Sequence, residues 1–101
     1  MHIPVFRVEF TEKAFAHLES FGKFERNIIL DAIKSQLPYQ PTEETRNRKL
    51  LRTNPVADWE LRIQNYRVFY EVDLVHHTVR IVAIGHKEHN KLFIGGEEII
   101  L

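Results

Sequence analysis

The stretch that most constrains this chain is Trp59 to Asp73, where apolar and polar residues alternate almost without a break. A period of two marks extended strands whose two faces meet different surroundings. Trp59, Leu61 and Ile63 share one face of the first run; Tyr66, Val68, Tyr70 and Val72 share one face of the second. Gln64-Asn65 between them has the length of a two-residue hairpin turn. The first set is therefore expected to face the core. The opposite face would carry Glu60 and Arg62 on one strand and Arg67, Phe69 and Glu71 on its neighbour. A turn at Leu74 to His77 and a third run from Thr78 to Gly85 extend the hairpin into a meander, with Arg80 added to the polar face.

The first half of the chain reads differently. Residues 3–10 predict a strand with Phe6, Val8 and Phe10 on one side and Arg7 and Glu9 on the other. Thr11 stands as a helix cap, with Glu12 in the first turn where the helix dipole favours an acid. Ala14, Phe15, Leu18 and Phe21 form the apolar stripe of a helix over 12–21, and Gly22 is its expected C-terminal stop. A second helix is expected over 23–37, with Phe24, Ile28, Ile29, Ala32, Ile33 and Leu37 on one side, ended by Pro38. Residues 38–48 read as a polar loop. The expected fold class is thus α+β: an N-terminal strand, a helical hairpin and an antiparallel β-meander.

At 101 residues the chain is read as one domain, 1–101, since two cores would leave about 50 residues each, near the limit of independent stability. A hydrophobic content of 44% is enough to build that core. With no cysteine, disulfides, thiolate metal sites and thiol nucleophiles all drop out. The longest apolar runs are about four residues, against the roughly 20 needed for a membrane-spanning helix. Met1-His2-Ile3-Pro4 does not read as a signal peptide. A cytoplasmic location without membrane contact is the expectation.

Formal charge is zero, but it is unevenly spread. Residues 1–45 hold five basic and seven acidic groups, whereas residues 46–94 hold nine basic and five acidic. Within that basic half, Arg46, Arg48, Lys49 and Arg52 fall in seven positions with no acid. Such a run is either a solubilising loop or a set of phosphate contacts. Phe69 among arginines resembles a platform for stacking bases; the plainer alternative is a solvated face of cross-strand ion pairs. Gly85-His86-Lys87-Glu88-His89-Asn90-Lys91 brings acid–base groups to the end of a strand. His86 and His89 have no convincing third ligand, so neither metal nor cofactor is expected.

Trp59 through Tyr70 and Val82 through Glu88, with Val8 to Phe15 and Arg48 to Arg52, resemble the RelE/ParE superfamily of bacterial type II toxins over nearly the whole chain. The resemblance implies a toxin neutralised by a cognate antitoxin. In its RelE-like form it implies a ribosome-dependent mRNA endonuclease that needs no metal, the message's own 2′-OH attacking the adjacent phosphorus. Arg67 would then stabilise the phosphorane with Lys87 assisting, and Glu60 or His86 would move protons. Arg46, Arg48, Lys49, Arg52, Arg62, Phe69 and Lys91 would bind RNA. The chain departs from that pattern at Asp58 and Glu60, where RelE-like toxins carry basic residues, and at Phe93, in place of a tyrosine. ParE-like members instead inhibit DNA gyrase, which is the alternative reading. A non-toxic antitoxin- or RNA-binding relative is a third.

Overall fold

The computed structural model describes residues 5–101, so the expected start of the first strand at residues 3–4 lies outside the described residues. In chain order the elements are β1 (Arg7–Phe10), α1 (Glu12–Glu19), α2 (Lys23–Gln36), β2 (Arg48–Leu50), β3 (Trp59–Ile63), β4 (Tyr66–Asp73), β5 (Thr78–Glu88), β6 (Lys91–Ile94) and β7 (Glu97–Ile99). The expected α+β class is what forms. The strands make one sheet in the order β2-β3-β4-β5-β6-β7, every pairing along that path antiparallel. β1 pairs in parallel with the first half of β5, on the edge that β6 takes along its second half.

Turn chemistry explains how tightly the meander is wound. Gln64 has φ 53° in the two-residue link where Ile63 faces Tyr66. His89 and Asn90, with φ 52° and 65°, close the β5–β6 link; Gly95 and Gly96, with φ 60° and 82°, close the β6–β7 link. Two successive positive-φ residues twist a hairpin with the natural hand of its strands. The β6–β7 hairpin adds two strands beyond the expected meander, and β5 runs on past its expected end to Glu88.

Helices cover one face of the sheet. Thr11 Oγ1 accepts the Ala14 N–H at 3.0 Å and caps α1 as expected. Ala14, His17 and Leu18 are the buried residues of α1, spaced i, i+3 and i+4, which turns Phe15 outward and leaves it half-exposed. On α2 the buried line runs through Ile29 and Ile33 to Leu37 just beyond its end. Phe24 lies about 140° around the helix from Ile29 and is exposed, contrary to its expected place in the stripe. Gly22 also differs from expectation. Its φ of −65° is extended rather than left-handed, and it opens α2, its N–H donated to Glu25 Oε1 at 3.3 Å. Ser20 ends α1.

Under the helices lies the main core, which includes Phe6, Leu18, Ile29, Ile33, Trp59, Leu61, Val68, Tyr70, Val79, Ile81 and Ile84. The strand parity read from the sequence therefore selects the correct inward face. A second, smaller core lies on the other side of the sheet, where Ala57, Phe69, Ala83 and Leu92 pack with Leu51, Val56, Val82, Ile94 and Ile99. Residues 51–57 and the β6–β7 hairpin fold over that face. Asn54 pins this cover: its Oδ1 accepts the Val56 and Ala57 N–H groups, and its Nδ2 donates to the Arg52 and Ala57 carbonyls.

Candidate functional site

Beside the second core the polar face of β3 and β4 opens into a groove of about 680 Å³. Glu60 and Arg62 of β3 line it with Lys87 of β5, Lys91 of β6 and Arg52 of the preceding loop. Leu51, Leu92, Ile99 and Ile100 give it an aliphatic side, and Leu101 reaches the same rim. Expected site residues Arg52, Glu60, Arg62, Lys87 and Lys91 therefore converge. Lys49 is the cross-strand partner of Glu60 and so shares this face, and Arg46 is exposed just before β2.

Glu60 links the groove to Arg67, which lies behind it on the same face and does not itself line the groove. Glu60 is 3% exposed, and its Oε2 accepts from Arg62 Nε at 2.9 Å. Its Oε1 lies 3.8 Å from Arg67 Nε, a buried N–H with no hydrogen-bond partner. Arg62 and Arg67 are directly opposed across β3 and β4, so one carboxylate separates two guanidiniums that would otherwise repel. Arg67 NH1 is held further by the Gln64 and Tyr66 carbonyls, each at 2.9 Å. Burial lowers the Arg67 pKa, with Glu60 opposing the shift and Arg62 adding to it. Arginine nevertheless keeps its charge at any physiological pH.

Three expected contacts fall elsewhere. Phe69 is fully buried in the second core, so it offers no ring to a base. Alternation placed it on the right face but carried no signal of what covers that face. Arg48 is also corrected: the basic run is not all loop but contains β2, and Arg48 faces the helix side opposite Leu61. There it is nearly buried, its Nε donating to the Glu43 carbonyl at 3.1 Å and NH1 to Gln36 Oε1 at 3.5 Å. His86 is the third. Gly85 is the cross-strand partner of Arg67, so the next residue points to the opposite side of the sheet, where His86 stacks on Phe93 and meets the edge of Phe21. His86 and Arg67 therefore lie on opposite faces of the sheet. Arg80 shares the polar face as expected, but it lines a separate depression with Glu71 and Asp73.

Gly85 has a role that the sequence did not disclose. A Cβ there would collide with the Phe93 carbonyl oxygen and stand 2.8 Å from Ile94 Cγ1, so only glycine lets β6 approach β5 beside Arg67. His17 has a structural role as well. It is 8% exposed, and its Nδ1 accepts the Ile84 N–H at 3.2 Å, which ties α1 to β5. Burial, then the charge of Lys13, lowers its pKa. Among the described residues no three His, Asp or Glu side chains converge as a metal site would require.

Residues 8–91 match the model of the ParE toxin of the type II toxin–antitoxin system parDE. The chain belongs to the ParE toxin family. This ParE-family chain is similar in structure to a chain of the toxin–antitoxin complex RelBE2 from Mycobacterium tuberculosis, with a TM-score of 0.71 and 25% identity over 82% of this chain and 99% of that one. It also shares the fold of a chain in the archaeal RelE–RelB complex from Pyrococcus horikoshii, with a TM-score of 0.67 and 21% identity over 84% of this chain and 98% of that one. Comparison with curated protein sequences finds no match. The ParE-family chain is thus a type II toxin carrying a basic groove on the face of the sheet opposite its helices.

Proposed function

We propose that this toxin arrests growth by seating a partner protein in the basic groove, as a ParE-like inhibitor of DNA gyrase, and not by cutting message. The observation that carries this reading is the make-up of the groove: four cations, the carboxylates Glu60 and Glu98, and aliphatic side chains, with no aromatic residue among the described residues that line it. Single-stranded RNA is commonly held by aromatic rings that stack on its bases, and here Phe69 is sealed beneath the cover. A surface with an apolar side and a charged side suits a polypeptide instead. Catalysis would further need an arginine free to fork around a phosphate and a proton carrier beside it. Arg67 NH1 is committed to two backbone carbonyls, Glu60 is committed to arginines, and His86 is on the far face.

The toxin works in the cytoplasm as a single unit, restrained by a cognate antitoxin of the kind that accompanies its structural relatives. A second reading, mRNA cleavage on the ribosome, is favoured by Arg62 and Lys87, whose cationic ends open on the groove. Mapping message ends in cells arrested by the toxin separates the two. Intact messages are expected. Cuts at codons in the ribosomal A site, lost in Arg67→Ala, would overturn the proposal.

A further inference from the structure

A second cavity, of about 460 Å³, lies on the opposite side of the sheet where the helix layer stops short of the β5–β6 hairpin. Four rings line it. Tyr66, His86 and Phe93 are successive cross-strand neighbours on β4, β5 and β6, and Phe21 stands edge-on to Tyr66 at 5.6 Å and to His86 at 6.3 Å. His86 and Phe93 are stacked at 5.6 Å with 22° between their planes. None of the four is sealed in: each is partly exposed. Glu25 and Glu88 are the two carboxylates in the lining.

We propose that this slot receives an arginine side chain from a partner polypeptide. Its electrostatics select a cation. Ring faces carry negative charge density, and a guanidinium can lie flat on one ring while its edge donors meet a carboxylate. Glu88 is available for that, being mostly exposed and 3.6 Å from His86 Nε2. An anion is poorly placed, because Glu25 already occupies the N-terminus of α2, accepting the Gly22 N–H, and its other oxygen accepts the Tyr66 hydroxyl at 2.9 Å. Lys87 also touches the cavity. Strand alternation directs its side chain to the groove on the other face, so it does not cancel the carboxylates. The slot is thus independent of the basic groove, and it stands or falls whether or not gyrase is the target.

The test is a titration of the purified full chain with N-acetyl-arginine amide, followed through backbone amide shifts in two-dimensional NMR. N-acetyl-norleucine amide and AMP are the comparison probes. Saturable shifts centred on residues 21, 66, 86 and 93 are expected with the arginine probe, with affinity reduced about threefold in Glu88→Gln and a comparable amount in Phe93→Leu. Glu88 is exposed, so Glu88→Gln leaves the melting temperature unchanged and keeps the test interpretable. Equal shifts from norleucine would show a merely apolar slot and overturn the proposal. So would shifts confined to AMP, or none from any probe.

Discussion

Replacing Glu60 by glutamine separates a structural use of this carboxylate from a catalytic one. Its Oε2 accepts from Arg62 Nε at 2.9 Å and its Oε1 stands 3.8 Å from Arg67 Nε, on a side chain only 4% exposed. Without its charge, two arginines that are direct cross-strand partners would face each other over a neutral amide. Breaking a fully buried ion pair costs about 3–5 kcal/mol. Arg62 is 47% exposed, so water screens that part of the interaction and the expected loss falls to about 2 kcal/mol. A chain of this length loses about 4–8 °C of melting temperature per kcal/mol, which puts the fall at roughly 8–16 °C. Thermal denaturation of purified Glu60→Gln measures it, alongside growth arrest well below the lowered melting temperature. Early melting with retained toxicity is the expected pair of results. Unchanged melting with toxicity abolished would instead mark Glu60 as catalytic, because that is how a general base behaves.

Other consequences follow from the same packing. His17 is held below its ordinary pKa of 6.5, chiefly by burial, so as pH falls below about 6.5 the unfolded chain takes up a proton that the folded chain resists. Stability should decline over that window down to the lowered folded-state pKa, and His17→Asn, which keeps an acceptor for the Ile84 N–H, should flatten the decline in urea titrations at stepped pH. Gly85→Ala should cost about 3 kcal/mol through its clash with the Phe93 carbonyl and Ile94, and hydrogen exchange should show β6 released before the rest of the sheet. Tyr70→Phe removes a 2.7 Å hydrogen bond to the Pro41 carbonyl and leaves that buried oxygen without its donor. A loss of about 1–3 kcal/mol is expected by chemical denaturation, and no loss would mean the loop at 38–47 is anchored by packing alone.

What the sequence disclosed follows the strength of its local signals. Trp59 to Asp73 alternates for long enough to fix a hairpin, its inward face and the register around Gln64-Asn65. Thr11 declared its cap because capping is local. Phe69 shows the limit: parity assigns a face, but the residues that bury it come from 51–57 and 92–99, which no local pattern connects to β4. Arg48 is misread for a related reason, since β2 is three residues long and exists only through pairing with β3. The two glycines at 95–96 carried turn chemistry, but strands of four and three residues are too short to show a period. His86 fell on the wrong side because its spacing from Gly85 matters more than its nearness to Lys87.

We propose above that the groove holds a protein partner and does not cut RNA. That proposal is tested most directly by adding the purified chain to purified DNA gyrase and following the supercoiling of relaxed plasmid, with Arg62→Glu/Lys91→Glu as the groove-reversed control. Supercoiling is expected to stop as the chain approaches the concentration of gyrase, and the reversed groove is expected to restore it. Full supercoiling in excess wild-type chain, with the same preparation cleaving message on translating ribosomes, would contradict the proposal.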